Sequence, residues 1–198
     1  MLLGARLTNM RHRSIVRLIY LDLGVDTMLC VIAMLDDSSS EKLGQLCKIV
    51  EEFGIPARYW YGHITMVSYL GEDEGGFIDK CREALAGCTE FPVYYDRLEQ
   101  LAPTPSIVAS PRMTPELTEV HRRLLSTAPD ELDKWSAVEF WHPHTTLFYH
   151  TEADLLKIME RMEQSFEPIT ATISRIEFSK VTDKGYEIVG SIDLPTVG

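Results

Sequence analysis

Two stretches of the chain carry the same arrangement of side chains: His63-Ile64-Thr65-Met66 and His144-Thr145-Thr146-Leu147. Each lies in a run rich in aromatic and β-branched residues, YWYGHITMVSY from Tyr59 to Tyr69 and WHPHTTLFYH from Trp141 to His150, and such runs read as strands. On a strand, side chains alternate faces, so His63 and Thr65 share one face about 6–7 Å apart, with Ile64 and Met66 behind. His144 and Thr146 repeat the pattern, with Thr145 and Leu147 behind. Each strand then offers an imidazole beside a hydroxyl.

That pairing suits one kind of chemistry. Imidazole takes or gives a proton near pH 7. In-line cleavage of a phosphodiester needs a base on the incoming side and an acid on the leaving side. Two imidazoles across a cleft fill both roles, and two hydroxyls can donate to the non-bridging oxygens as charge builds there. The chain has six histidines and fifteen threonines. Two motifs of this form are then about a 2% event by chance, so they are read as one site. His63 and His144 are the catalytic candidates; Thr65 and Thr146 are the phosphate-binding ones.

The remaining histidines and aromatics are read more plainly. His142 nominally shares the His144 face, but Pro143 makes its position a strand entry at the cleft mouth. A metal held by His142 and His144 would need further ligands, and no H-E-x-x-H or Cys/His cluster supplies them. No metal and no cofactor is expected. His12, His121 and His150 read as surface residues. Tyr59, Tyr61 and Tyr69 alternate onto the His63 face and Phe148 onto the His144 face. Tyr61, Tyr69 and Phe148 are therefore candidates for stacking on a nucleobase, against the simpler role of covering the sheet. Arg112, Arg175, Lys180 and Lys184 are candidate phosphate partners whose default is solvated surface.

Elements of both kinds must position these residues. MLCVIAML (28–35) reads as a buried strand. Ser38 and Glu41 suggest a capping box for a helix with Leu43, Leu46, Cys47, Val50 and Phe53 inward, stopped by Gly54 and Pro56. A helix follows with Phe77, Ile78, Cys81 and Leu85 on one face, then strands FPVYYDRL and PSIVAS. Thr114 and Pro115 open a helix striped by Leu117, Val120, Leu124 and Leu125. VEFWHPHTTLFYH (138–150) reads as one strand. Thr151 and Asp154 open a helix with Leu155, Met159, Met162 and Phe166 inward. ITATISRIEFSKV and GYEIVGSIDL close the chain as a hairpin around Asp183, Lys184 and Gly185. Strands mixed with single helices, joined by short connections, imply an α+β fold with mainly antiparallel sheet.

Composition narrows the function classes. With 198 residues, 45% of them apolar, the chain can bury a sizeable core. No apolar run approaches the roughly 20 residues that span a bilayer. The formal charge of -11 argues against gripping long nucleic acid through many phosphates. A small phosphorylated ligand held by local donors remains open. Cys30, Cys47, Cys81 and Cys88 lack C-x-x-C spacing and read as reduced thiols of a cytoplasmic protein. Residues 1–27, with Arg6, Arg11, Arg13 and Arg17 and no acid before Asp22, read as an unstructured or loosely packed extension; residues 28–198 form the domain.

The paired motifs resemble the 2H phosphoesterase superfamily, which includes RNA 2',5'-ligase-like proteins and cyclic phosphodiesterases and is defined by two H-x-[ST]-x motifs. HITM at His63 and HTTL at His144 match, 144 − 63 = 81 positions apart. The resemblance extends from Met28 to Leu194. It implies a bilobal α+β fold of two β-α-β-α-β-like halves with the motif strands flanking a central cleft. It also implies metal-independent hydrolysis of 2',3'-cyclic phosphates, 2',5' linkages or ADP-ribose cyclic phosphate. The expected ligand is a small nucleotide or short RNA end, bound by a monomer with no membrane attachment. A non-catalytic module binding a nucleotide or RNA end in the same cleft is the alternative.

Overall fold

A computed structural model describes residues 28–58, 62–182 and 185–196. Seven strands form one antiparallel sheet: β1 (Met28–Leu35), β2 (His63–Tyr69), β3 (Phe91–Gln100), β4 (Ser106–Pro111), β5 (Thr145–Tyr149), β6 (Ile169–Thr182) and β7 (Gly185–Asp193). The order is β2-β1-β6-β3-β4-β5, and β7 also pairs with β6. The 14-residue β6 joins two halves. Its residues 169–173 pair with β3, while residues 173–181 pair with β1 and residues 175–182 with β7. The closing hairpin forms as its sequence predicts; Asp183 and Lys184, expected at its turn, lie outside the described residues.

Among the described residues four α-helices cover one face: α1 (Asp37–Cys47), α2 (Glu74–Ala84), α3 (Pro115–Leu125) and α4 (Leu155–Glu163). Each starts where a side chain satisfies an orphan backbone donor. Asp36 accepts from Ser39 N, Asp73 from Gly76 N, Thr114 from Leu117 N and Asp154 from Lys157 N. For α1 the cap is Asp36 rather than the Ser38/Glu41 box. Asp36 also accepts from Thr172 N at 2.8 Å, which binds the helix start to β6. A short 3₁₀ helix, Lys48–Phe53, continues α1 and ends at Gly54, whose φ of 73° lies in the left-handed region that glycine enters without strain.

The core lies between this helical layer and the sheet. Leu29, Val31, Ala33 and Leu35 of β1 face it, with Leu43 and Val50, Phe77 and Cys81, Leu117 and Leu124, and Ile158 and Met162 packed opposite. Met28, Cys30 and Ile32 face the other way with Val181. This second face of the sheet carries the cleft.

His121 corrects its surface assignment. It is buried on α3 between Leu117 and Leu124 in the i, i+3, i+4, i+7 stripe, and its ring stacks on Trp141 with centroids 3.7 Å apart.

A candidate active site between the two sheet edges

β2 and β5 end the strand path, yet side chains join them. Thr145 Oγ1 donates to the His63 carbonyl at 2.9 Å, and Trp141 Nε1 donates to the Thr65 carbonyl at 3.0 Å. Because the Thr145 proton is used there, the buried Tyr95 hydroxyl must donate to Thr145 Oγ1, at 2.8 Å. The sheet therefore curls until its two ends face one another. Between them lies a cleft of about 860 Å³, whose lining includes His63, Thr65, His144 and Thr146.

The alternation that aims the motif pairs inward stops at the motif's fourth residue. Val31 is opposite Val67 and Ile32 opposite Thr65, so Met66 is an extra residue in β2. Ile107 is opposite Phe148 and Val108 opposite Thr146, so Leu147 is an extra residue in β5. Each is a β-bulge, and a one-residue insertion reverses which face the later side chains occupy.

Two sequence assignments are corrected as a result. Tyr69, opposite Leu29, turns into the core, stacks on Phe77 at 4.1 Å and reaches Glu131 through its hydroxyl. Phe148, opposite Ile107, also turns into the core. In their place Ser68 and Tyr149, each five residues after its motif histidine, line the cleft. Tyr59 and Tyr61 lie outside the described residues.

A second correction concerns Val138–His144, expected as strand. β5 begins only at Thr145, and Asp133–His144 forms a loop entered by the short 3₁₀ turn Lys134–Ser136. His142 sits on this loop and lines the cleft. Its Nε2 lies 2.8 Å from Glu99 Oε2, and Glu99 also accepts from Ser110 Oγ at 2.7 Å and Arg97 Nε at 2.6 Å. Burial raises the Glu99 carboxyl, but the hydrogen bonds from Arg97, Ser110 and His142 outweigh it and hold the group down at about 2.

The backbone of His142 fixes the state of His144. His144 Nδ1 is 2.7 Å from the His142 carbonyl, which can only accept, so Nδ1 carries the proton and the neutral ring keeps its lone pair on Nε2. Burial pushes His144 below its ordinary 6.5; the carbonyl contact opposes this, while the imidazoles of His142 and His63 add to it. His144 is thus the neutral base form at pH 7.

The cleft holds few charged side chains. No lysine or arginine is among its described lining residues, and Glu99 contributes a carboxylate. Three of the candidate phosphate partners are engaged elsewhere, Arg112 with Asp96, Arg175 with Glu177 and Lys180 with Glu74; Lys184 lies outside the described residues. Among the described residues no group of three His, Cys, Asp or Glu side chains is arranged to hold a metal.

The profile of the 2'-5' RNA ligase superfamily matches residues 35–185. The chain belongs to the 2'-5' RNA ligase superfamily. Solved structures of this 2H phosphoesterase group share its fold. LigT of E. coli complexed with 3'-AMP is 14% identical with a TM-score of 0.58, covering 85% of this chain and 97% of LigT. LigT complexed with NADP+ is 15% identical, TM-score 0.58, at 86% and 99% coverage. A protein of Thermus thermophilus is 12% identical, TM-score 0.59, at 86% and 100% coverage. No curated protein matches the chain in sequence. Members of this superfamily are phosphoesterases, and the fold found here is theirs: mixed α/β with a mostly antiparallel open sheet. No helix among the described residues is long and apolar enough to cross a membrane.

Sequence reasoning missed Glu99, Ser68, Tyr149, Trp135 and Phe140 as cleft residues. The matching five-residue offset of Ser68 and Tyr149 was legible, but its meaning depends on bulges that no residue type announces.

Proposed function

We propose that this protein is a metal-independent phosphodiesterase acting on 2',3'-cyclic phosphates of nucleotides or RNA ends, or on 2',5' linkages. The observation that carries this reading is the convergence of both H-x-T pairs, from opposite ends of one sheet, on a single cleft. His144, neutral with a free Nε2 lone pair, takes the proton of the attacking water. The water oxygen bonds to phosphorus as the phosphorus–ribose oxygen bond breaks. His63 delivers a proton to the departing ribose oxygen. Thr65 and Thr146 donate to the non-bridging oxygens, where charge concentrates.

The charge of the cleft supports a diester substrate. A phosphodiester carries one negative charge, whereas a monoester carries close to two at pH 7. A wall with Glu99 and no lysine or arginine among its described residues disfavours the second charge, so product leaves readily. The deciding experiment offers adenosine 2',3'-cyclic phosphate, a 2',5'-linked dinucleotide and ADP-ribose cyclic phosphate to the protein in excess chelator. Turnover of at least one, lost in His63→Ala and His144→Ala, is expected. Binding without turnover would replace this reading with that of a nucleotide- or RNA-end-binding module.

A further inference from the structure

A phosphate held only by imidazoles and hydroxyls, beside a carboxylate, gains little from charge. Affinity must come from elsewhere in the cleft, and its remaining wall is mostly apolar. Trp135 and Phe140 both line it, yet they remain 42% and 58% exposed. They meet edge to face, with centroids 6.1 Å apart and planes at 79°. Lys134 Nζ lies 4.9 Å from the Trp135 ring, a cation against its π-face.

The loop that carries them is held firmly from behind. Asp133 N donates to the Ser68 carbonyl at 2.8 Å and Ser68 N donates to Ser136 Oγ at 2.9 Å. His121 Nε2 meets the Ser136 carbonyl at 2.9 Å, so that nitrogen carries its proton. Trp141 stacks on His121 and bonds to Thr65. Asp133, Ser136 and Trp141 are thus tied to α3 or β2, while Trp135 and Phe140 project from this held loop and are not among the buried core residues. Large rings presented this way, in the same cleft as the two imidazoles, suit a ligand with a flat π-system attached to its phosphate.

We infer that Trp135 and Phe140 form a stacking site for the nucleobase of the substrate whose phosphate lies between His63 and His144. This deepens the function proposed above and rests on its placing of the phosphate. Recognition is then by the face of the base rather than by its hydrogen-bonding edge, so all four bases are accepted. The ligand is a nucleoside phosphodiester, and a diester without a base is a poor one.

Two monoanionic probes separate the contributions: 2'-deoxyadenosine 3'-methylphosphate, which has a base, and dimethyl phosphate, which has none. Calorimetry with the unaltered protein should show the base-bearing probe favoured on the order of ten- to a hundredfold. Trp135→Ala with Phe140→Ala should abolish most of that preference, and Trp135→Phe should retain most of it. Thermal unfolding should be unchanged, since neither ring is in the core. An unaltered protein that shows no preference between the probes, or a double variant that keeps it, overturns the stacking site. Hydrolysis of cyclic nucleotides with an unchanged KM in the double variant removes the stacking site and leaves the proposed activity standing. A Trp135-dependent preference without hydrolysis of any diester does the reverse.

Discussion

Thr145, the middle residue of the second motif, donates its hydroxyl hydrogen to the main-chain carbonyl of His63, the first residue of the first motif, at 2.9 Å. The two candidate catalytic histidines sit at opposite ends of a strand order, and this bond ties the side chain next to His144 to the backbone of His63. Tyr95, buried in the core, secures Thr145 from behind.

Thr145→Val keeps the shape and deletes the tie. It removes the hydrogen bonds that the buried Tyr95 hydroxyl and the His63 carbonyl make to Thr145, a loss of about 1–3 kcal/mol in unfolding free energy. The histidines would also drift, so turnover should fall by up to roughly 10² while substrate binding changes less. Thr145→Ser restores the hydroxyl and should recover most of both. Urea unfolding and steady-state rates on the three proteins check this; equal behaviour of the Val and Ser variants would show that only volume matters at this position.

His142 acts on His144 through its main chain and is itself held by Glu99. Glu99→Gln weakens the anchor of the loop, and His142→Ala removes it while keeping the carbonyl that holds Nδ1. Both should reduce turnover about tenfold, well short of His144→Ala. Stability gives a second readout. The Glu99 carboxyl falls from its ordinary 4.5 to about 2 on folding, so its contribution is present above pH 4.5 and is lost as pH falls through 2. The gap in stability between the unaltered protein and Glu99→Gln should therefore shrink over that window when unfolding is followed against pH.

The rate should form a bell against pH. His144 must be unprotonated to act as base, and its value lies below 6.5, so the acidic limb falls below pH 6.5. In the proposed mechanism the alkaline limb marks loss of the proton on the acid. Each single alanine replacement should remove its own limb and lower the rate by on the order of 10²–10⁴. The double replacement should be little worse than the poorer single one, because both groups act in one transition state. Two losses that multiply would show that the residues act in separate steps.

The thiols should be sluggish in the folded protein. Burial pushes Cys30 up to about 11 and Cys47 and Cys81 up to about 12, leaving almost no thiolate at pH 8. Only Cys88 is partly exposed. Titration with a disulfide reagent at pH 8 should consume at most one thiol rapidly in the native state and all four in denaturant. Rapid native labelling of Cys30 would mean that the cleft floor opens.

The site was partly legible in the sequence because strand alternation is strict over three residues. His63 with Thr65 needed nothing more than that period to point the same way, whereas His144 lies one residue ahead of β5 and lines the same cleft as Thr146. The helices were legible through their apolar stripes, and α3 and α4 also through Thr114 and Asp154, while the box at Ser38 and Glu41 was not the cap of α1; the closing hairpin was legible through its alternation. Alternation failed beyond Met66 and Leu147 because a bulge depends on the partner strand's spacing, not on the residue that bulges. The loop after Asp133 was missed for another reason: its aromatic residues mimic a strand, while its conformation is set by contacts to α3 and β2 that are distant in sequence. His121 shows the converse, a polar type in an apolar stripe, made tolerable by the Ser136 carbonyl.

The two bulges divide each motif strand into a part that must stay fixed and a part that is free to vary. Ahead of Met66 and Leu147, a substitution disturbs either the histidine–threonine pair or the packing behind it. Past them, Ser68 and Tyr149 touch the cleft without belonging to either. A designer seeking a new substrate would begin at these two positions, where the shape of the cleft can be rewritten one side chain at a time while the two motif histidines stay in place.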